Sequence, residues 1–296
     1  MEFRVLEYFL AVAREQNISA AAKSLHLSQP TLSRQLHDLE DELGKSLFIR
    51  GSRKITLTEE GIILRKRAEE IVNLMQMTEN EITMSDEHIS GDIYIGTGES
   101  EGVRLIIEAG LLLQKEYPDI HIHTISGDSL DILEKLDNGL YDFAVVWEPT
   151  DISSYESISL PYKDVISLLM PRNCELAKKE KITLNDLASL PIIVSRHQLK
   201  DNFLDYFFNE NKKMYNIVAT YNLIFNASLM VQEGMGYAIG FNHIINTSKE
   251  NNLICKPLYP KVELGMNLIK KKYQTLSKPA KLYLKKIEEL IALKQQ

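Results

Sequence analysis

Apolar residues near the amino terminus recur at the spacing of an α-helix. Four leucines follow one another at intervals of four, three and four residues: Leu32, Leu36, Leu39 and Leu43. This spacing places them on one face of a helix. Pro30 suits the first turn, where its fixed φ and missing N–H are tolerated, and Gly44 suits the position that ends a helix. The pattern therefore predicts a helix that begins at Pro30 and turns Arg34 and His37 outward.

A second, shorter repeat precedes this helix. Its inward face consists of small and apolar residues: Ile18, Ala21, Ala22 and Leu25. Ser19 is a candidate N-cap, because its hydroxyl can accept a hydrogen bond from a first-turn N–H. Residues 26–29 interrupt the pattern and predict a turn. An earlier apolar repeat over residues 3–13 predicts a first helix that covers the alanines, so three helices share one small core.

Two short extended runs follow, at residues 47–49 and 55–57. The turn between them is rich in glycine, serine and basic residues, and includes Arg50, Arg53 and Lys54. This arrangement predicts a two-stranded wing that can reach DNA phosphates or a minor groove. Residues 1–58 are therefore predicted to form a winged helix-turn-helix domain.

The segment from Thr58 to about Ser85 contains no proline and carries a heptad-like repeat. Its seam positions are spaced by four, three, four, three and four residues: Leu64, Ala68, Ile71, Met75, Thr78 and Ile82. Such a seam predicts a linker and dimerisation helix over residues 59–88. The alternative is a long helix packed against its own domain, and apolar periodicity alone does not separate the two.

From Gly91 onward, extended apolar runs alternate with helical ones, as in an open α/β sheet. The predicted strands are residues 93–96, 120–125, 141–146, 165–170, 192–195, 217–221 and 264–270, and the predicted helices are residues 100–116, 129–138, 201–210, 227–233 and 278–293. Residues 234–240 are predicted to leave a helix and enter one more short strand. These elements predict a second domain over residues 89–296.

The formal net charge of the chain is -7, so overall charge does not predict binding to DNA. Basic residues are instead placed locally, on the outward face of the third helix and in the wing. The acidic residues of that helix lie toward its far end: Asp38, Glu40, Asp41 and Glu42. One copy of such a domain would hold DNA weakly, so DNA binding is expected to require a dimer.

Many residues of this first domain match a known family in one register: Ala20, Ala21, Leu25, Ser28 to Ser33, Gln35, Leu36, Leu39, Glu40, Leu43, Gly44, Leu47, Phe48, Arg50, Leu57, Thr58 and Gly61. Residues 1 to about 60 resemble the DNA-binding domain of LysR-type transcriptional regulators. The resemblance extends less sharply through the rest of the chain. It implies a DNA-binding regulator modulated by a small-molecule effector, and not an enzyme.

The resemblance also implies which residues contact double-stranded DNA: Ser28, Gln29, Pro30, Thr31, Ser33 and Arg34 from the third helix, and Arg50, Arg53 and Lys54 from the wing. Gln29 is expected to contact base edges, whereas Pro30 and Thr31 pack on sugar or on thymine methyl groups. Two copies of the helix would read successive major grooves of an interrupted, imperfect palindrome. In the family, dimers pair into tetramers, and RNA polymerase is a further candidate partner.

The second domain resembles the periplasmic-binding-protein fold. Its first lobe would comprise about residues 89–160 and 264–296, and its second about 161–263, with crossovers near 147–159 and 251–262. Ligands of open α/β sheets bind beyond the carboxyl ends of the strands. The family's pocket then falls on ten residues: Glu99, Ser100, Ser126, Asp128, Glu148, Ser195, Arg196, His197, Phe225 and Asn226. Ser100 and Asp128 have an equally plausible role as helix caps.

Acidic residues are frequent around this predicted cleft: Glu99, Glu101, Asp128 and Glu148. Unpaired carboxylates would repel an anion unless Arg104 or Arg196 neutralises them. We therefore expect an effector with a cationic or neutral hydrogen-bonding group. The alternative is that these carboxylates are solvated surface groups.

Other signals favour neither a metal site nor a cofactor. Cys174 and Cys255 are far apart without a C-x-x-C motif, so a redox thiol pair is not predicted. His121 and His123 share a strand face, but two ligands without a third make a poor zinc site. Gly96-Thr97-Gly98 lacks the third glycine of a dinucleotide turn, and no G-x-S-x-G, H-E-x-x-H or Walker A motif is present.

The first residues form an amphipathic helix rather than a leader, and no apolar run approaches the length of a membrane span. The protein is therefore expected in the cytoplasm, without a membrane partner. An exported solute-binding protein of the same fold would lack residues 1–60. An enzyme with an appended DNA module would need a catalytic constellation that the sequence does not contain, and a ligand-independent DNA-binding factor is a third alternative.

Overall fold

Three short helices form the core of the amino-terminal part of the chain. The structure, a computed structural model, describes residues 1–51, 54–83, 89–196 and 215–294. The chain divides into two units, Met1–Met84 and Ser85–Gln296. Arg53, His197 and the helix predicted at 201–210 lie outside the described residues. Over the described ranges, no helix is both long and apolar enough to cross a membrane.

The helices of the first unit are α1 (Phe3–Glu15), α2 (Ile18–Ser24) and α3 (Gln29–Leu43). Their inward faces form one core, in which the deepest side chains are fully buried: Phe9, Val12, Ala21, Leu32 and Leu36. The three leucines at the start of the predicted stripe are buried, whereas Leu43 is exposed at the end of α3. Gly44 ends this helix with a φ of 63°, as predicted.

Both later helices of this core begin at a polar cap. The side chain of Asn17 accepts a hydrogen bond from the N–H of Ala20 at 3.0 Å. The prediction that Ser19 caps α2 was therefore wrong, because the helix begins one residue before Ser19, at Ile18. Ser28 caps α3, and its Oγ accepts from the N–H of Thr31 at 3.3 Å.

The wing consists of β1 (Phe48–Arg50) and β2 (Ile55–Leu57), which pair antiparallel with Phe48 opposite Leu57. The Gly51 N–H closes the turn onto the Lys54 carbonyl at 3.1 Å. Glu40 of α3 fixes the start of the wing, because its Oε1 accepts from the N–H of Leu47 at 2.7 Å and of Phe48 at 3.2 Å. A carboxylate of the third helix thus holds the wing in place.

A long helix, α4 (Glu59–Thr83), completes the first unit. Gly61 lies so close to the wing that an added Cβ would stand 2.2 Å from the Leu47 carbonyl oxygen. Ala68 is 0% exposed in the core of the domain, and Leu64 packs beside it. Both residues were predicted to lie on a dimer seam. That was wrong for Ala68, which is buried in the core formed by α1, α2 and α3, and Leu64 is partly buried against the same core.

The second unit contains two α/β lobes. In chain order its elements are β3 (Gly91–Thr97), α5 (Arg104–Glu116), β4 (Ile120–Ser126), α6 (Ser129–Asp137), β5 (Phe143–Trp147), β6 (Tyr155–Pro171), α7 (Glu175–Lys178), β7 (Ile182–Thr183), α8 (Leu184–Leu187), β8 (Pro191–Ser195), β9 (Asn216–Tyr221), α9 (Ile224–Gln232), β10 (Tyr237–Phe241), β11 (Leu253–Tyr259), β12 (Glu263–Lys271) and α10 (Lys278–Lys294), with 3-10 turns at Glu101–Val103 and Lys249–Asn251. This confirms the predicted two-lobed α/β class.

The sheet of the first lobe has the strand order β4-β3-β5-β12-β6, with β3, β4 and β5 parallel and β12 antiparallel to both of its neighbours. Helices α5 and α10 pack together on this sheet through a buried core that includes Ala109, Leu113 and Tyr283. The second sheet has the order β11-β6-β10-β8-β9. Strands β8, β9 and β10 are parallel there.

One strand, β6, runs through both sheets. It pairs with β12 up to Val165 and with β10 from Ile166, whose N–H donates to the Val262 carbonyl at 3.0 Å. The lobes therefore join at residues 165–166 and 262–263. The crossover predicted near 147–159 was wrong, because β6 begins at Tyr155 inside the first sheet. The sequence pattern also missed β11, whose alternation is interrupted by Lys256 and Pro257.

Candidate functional site

The amino end of α3 is an exposed polar surface. Gln29, Pro30, Thr31 and Arg34 are exposed there, and Ser33 is half-buried. Arg34 is 83% exposed, and its Nε lies 3.9 Å from an Asp38 carboxylate oxygen. Ser28 is committed to the helix, because its Oγ caps the first turn and lies 2.7 Å from the Thr31 hydroxyl. At this end Gln29 and Arg34 therefore present to a partner polar groups that the cap does not use.

The wing offers less free positive charge than its sequence suggests. Arg50 lies 3.4 Å from the carboxylate of Glu40, the residue that also fixes the wing. Lys54 is exposed at the end of the turn. Arg53 lies outside the described residues. Arg50 is thus partly neutralised, whereas Lys54 is placed to meet a negatively charged partner.

A cleft lies between the two lobes of the second unit. It is lined by residues at the carboxyl ends of strands and in the loops that follow them: Gly98, Glu99, Gly127, Asp128, Ser129, Trp147, Glu148, Pro149, Ser195, Arg196, Tyr221, Asn222, Ile224, Gly240, Phe241, Ile244 and Leu264. Its volume is about 160 Å³. Since one water needs roughly 10–15 Å³ by the same measure, the cleft has room for a small metabolite.

Five of the ten predicted pocket residues line this cleft: Glu99, Asp128, Glu148, Ser195 and Arg196. Ser100, Ser126, Phe225 and Asn226 are not among the described lining residues. Phe225 is 60% exposed on the outside of α9, because the helix turns Ile224 inward instead. His197 lies outside the described residues.

Ser100 is engaged with a buried carboxylate. Its Oγ donates to Oδ2 of Asp164 at 2.6 Å, and the same oxygen accepts from the indole N–H of Trp147 at 2.6 Å. Asp164 is 1% exposed, and its Oδ1 has no hydrogen-bond partner among the described residues. Burial raises the pKa of Asp164 above that of an ordinary aspartate, while these two hydrogen bonds oppose the rise.

The cleft carboxylates are each anchored to backbone N–H groups. Asp128 accepts from Leu130 and Asp131 at 3.1 Å and caps α6, as the alternative interpretation predicted. Glu148 accepts from Gly265 at 3.3 Å, and Glu99 accepts from Ile224 at 2.7 Å. Arg196 is the only lysine or arginine among the described lining residues. Carboxylates therefore outnumber cations in this part of the cleft.

The sequence interpretation missed the aromatic part of the cleft. Trp147, the chain's single tryptophan, ends β5 in the first lobe. Its ring lies 5.5 Å from that of Phe241, which ends β10 in the second lobe. Both residues are the last of a buried strand, the position where ligands of α/β sheets bind. The sequence carries this signal, because Trp147 and Phe241 each directly follow a predicted strand.

Two family models together cover nearly all of the chain. The model described as "Bacterial regulatory helix-turn-helix protein, lysR family" matches residues 3–62, and the "LysR substrate binding domain" matches residues 86–291. The second model alone spans more than half of the sequence. The chain belongs to the LysR family. It is a DNA-binding transcriptional regulator with an effector-binding domain, which confirms the resemblance found in its third helix.

Curated relatives of this LysR-family chain are regulators as well. It is 33% identical over 199 residues to the HTH-type transcriptional regulator BsdA of Bacillus subtilis (strain 168), covering 66% of this chain and 67% of that protein. It is 29% identical over 210 residues to a hydrogen peroxide-inducible genes activator of Pectobacterium carotovorum subsp. carotovorum, covering 70% of this chain and 69% of that protein.

Solved structures share its fold from end to end. CbnR, a LysR family transcriptional regulator, matches with a TM-score of 0.75 at 18% identity, over 98% of this chain and 99% of that one. Full-length CbnR complexed with its target DNA matches with a TM-score of 0.73 at 18% identity, over 98% of this chain and 100% of that one. At 18% identity these matches show a shared fold.

Cys255 of this LysR-family protein differs from a reactive cysteine. Burial raises the pKa of the Cys255 thiol to about 12. A thiol in such an environment stays protonated at neutral pH, whereas a reactive cysteine needs its thiolate. Cys174 is a free, half-buried cysteine. The likeness to a peroxide-inducible activator therefore does not extend to an activated thiol at Cys255.

Replacing Asp164 by asparagine is expected to flatten one part of the pH dependence of stability. Because burial raises its pKa, the folded protein holds this proton to higher pH than the unfolded chain does. Ionisation of Asp164 therefore lowers the free energy of unfolding. The loss develops as the pH rises from about 3.9, the pKa of an aspartate in the unfolded chain, through the higher pKa that Asp164 has in the folded protein. The asparagine side chain would not titrate but would still accept from Ser100 and Trp147. Denaturant unfolding from acid to neutral pH measures this.

The matched control is Asp151→Asn. The pKa of Asp151 is lowered, mainly by the Ser153 backbone N–H, so Asp151 adds stability as the pH rises and its replacement changes the slope in the opposite direction. Equal slopes for the wild type and Asp164→Asn would show that Asp164 does not titrate as its burial implies.

Proposed function

We propose that this LysR-family protein binds an interrupted, imperfect palindrome of double-stranded DNA as a homodimer, and that a small molecule in the cleft modulates this binding. The observation that carries the proposal is the amino end of α3. Ser28 satisfies the helix's own backbone there, so that Gln29 and its exposed neighbours are left for a partner. This is the end of a recognition helix that enters a major groove.

Within this proposal each residue has a distinct role. Gln29 contacts base edges, and Ser33 and Arg34 contact bases or phosphates, while Pro30 and Thr31 pack on sugar or thymine methyl groups. Lys54 and Arg53 hold the DNA backbone through the wing. Arg50 contributes less than its charge suggests, because Glu40 competes for its guanidinium at 3.4 Å.

Gln29→Ala and Lys54→Ala are expected to weaken DNA binding in different ways. Gln29→Ala should reduce the preference for selected sites over random DNA about tenfold and leave nonspecific affinity nearly unchanged. Lys54→Ala should weaken all duplexes alike and reduce the salt-dependence slope by about 1. Fluorescence anisotropy over a salt series, on sites selected from a random pool, measures both. A uniform loss of affinity in Gln29→Ala would contradict base reading by this residue.

Dimerisation is proposed to use the later half of α4. The last four residues of the predicted seam are exposed on α4. Ile71 and Met75 are each 42% exposed, and Thr78 and Ile82 follow them. At 100° per residue these four lie within a narrow stripe. Leu64 falls within the same stripe and Ala68 at its edge, but both lie earlier on the helix, where this face packs against the domain core. A second copy of the same helix would bury this stripe.

Ile71→Glu combined with Met75→Glu is expected to raise the dimer dissociation constant at least about tenfold, because each apolar side chain contributes roughly 1.5–3 kcal/mol when buried. Sedimentation velocity over a protein concentration series measures it. Ile62→Glu is the matched control, since Ile62 is exposed on the opposite face of α4. If Ile62→Glu dissociated the dimer and the double variant did not, the dimer interface would lie outside the Ile71–Ile82 stripe.

We further propose an effector with a cationic or neutral hydrogen-bonding group. Support comes from the described cleft, where three carboxylates face a single guanidinium. Each carboxylate uses one oxygen for a backbone N–H and leaves the other without a described partner. The family also supports pairing of dimers into tetramers, action in the cytoplasm, and RNA polymerase as a further partner.

Calorimetric titration with amino acids, diamines such as putrescine and dicarboxylates such as succinate is expected to detect binding of the amine-bearing compounds. Glu148→Gln should weaken that binding about tenfold, because it removes one charge from the cleft while keeping an acceptor for Gly265. Binding of the dicarboxylates alone would overturn the proposed effector class. The DNA-binding function would stand in that case.

A further inference from the structure

A side chain of the first lobe reaches the backbone of the second. Glu99 follows β3, and its Oε2 accepts a hydrogen bond from the N–H of Ile224, the first residue of α9, at 2.7 Å. The two residues are 125 positions apart in the chain. Both line the cleft, so this hydrogen bond bridges its two walls.

The amino end of α9 lacks a cap of its own. Leu223 occupies the N-cap position and makes no side-chain cap hydrogen bond, and the first turn contains no acidic residue. The first N–H groups of a helix need acceptors, and the helix dipole favours a negative charge beside them. Glu99 supplies both the acceptor and the charge. A charge-assisted hydrogen bond of this kind is stronger than a neutral one.

Each end of the bridge is held firmly in its own lobe. Ile224 is buried in the second lobe, and an added Cβ at Gly240 would stand 2.5 Å from its Cδ1. On the other side, Ser100 is bound to Asp164, and an added Cβ at Gly98 would stand 3.0 Å from the Trp147 ring. Both ends of the hydrogen bond are thus packed within their own lobes, so separation of the lobes is expected to break it.

We propose that Glu99 is an intramolecular latch that holds the two lobes together across the cleft in the ligand-free protein. Separation of the lobes requires the carboxylate to leave the amino end of α9. The latch therefore biases the equilibrium between closed and open lobes toward the closed form. It needs no particular effector, so its test is independent of the effector class proposed above.

Three substitutions of Glu99 separate the effect of its negative charge from the effect of its side-chain length. Glu99→Gln keeps the length and an acceptor but loses the charge, Glu99→Asp keeps the charge but loses the reach, and Glu99→Ala loses both. Glu101→Gln is the matched control, because Glu101 belongs to the same loop and pairs with Arg104 in its own lobe. Full-length, ligand-free protein is used throughout, so that two readouts can be compared on the same samples.

The first readout is acrylamide quenching of Trp147, the single tryptophan, which lies against Phe241 of the other lobe. Opening exposes its indole, so quenching should increase in Glu99→Ala and Glu99→Asp, increase less in Glu99→Gln, and match the wild type in Glu101→Gln. The second readout is hydrogen exchange. Amides at the start of α9 should exchange about tenfold faster in Glu99→Ala, whereas those of α5 should not change.

The combination of readouts decides the outcome. Faster exchange at α9 together with greater quenching supports the latch. Faster exchange at α9 with unchanged quenching would overturn it and reduce Glu99 to a helix cap. Faster exchange throughout α5 and α9 would also overturn it, because the lobes would then be losing their folds rather than separating.

Discussion

The second unit depends on a buried carboxylate at the point where its two lobes join. Asp164 lies one residue before β6 ends its pairing with β12, and it accepts hydrogen bonds from Ser100 and Trp147. It thereby ties the loop after β3 and the end of β5 to the strand shared by both sheets. A buried carboxylate costs free energy unless it is hydrogen-bonded. Of its two donors, Trp147 lines the cleft and Ser100 directly follows the cleft residue Glu99, so Asp164 fixes this part of the cleft wall.

The first unit could be predicted almost completely from its sequence, because its contacts are local. The spacing from Leu32 to Leu39 specifies a buried face, and Ser28 and Gly44 mark the ends of α3 through their own conformational preferences. Errors arose where two residues could play one role. Asn17 and Ser19 are both good caps, and Asn17 takes the role because the helix begins at Ile18. Ala68 fits a dimer seam and a domain core equally well.

The cleft could be predicted only in part, for the opposite reason. Strand ends are readable from sequence, and they led to Glu99, Asp128 and Glu148, which line the cleft. What a side chain does there depends on partners far along the chain, however. Ser100 turns toward Asp164, which is 64 positions later, and the first turn of α9 places Ile224 inward and Phe225 outward. No local pattern encodes such pairings, which arise only when β6 brings the two lobes together.

The net charge of the chain does not describe how its carboxylates are used, because several of them accept hydrogen bonds from the chain's own backbone. Glu40 accepts from two wing amides and pairs with Arg50, and Asp128, Glu148 and Glu99 each accept from a backbone N–H. These backbone hydrogen bonds do not neutralise the carboxylates, which keep their share of the net charge of -7. The ion pair of Glu40 with Arg50, by contrast, offsets one charge with another. Glu40 also lowers the positive charge that Arg50 offers to DNA, because it pairs with the guanidinium while it holds the start of the wing. Pairing of Arg50 leaves less free positive charge on the described wing of one copy, which is the physical reason that the proposed function uses two copies.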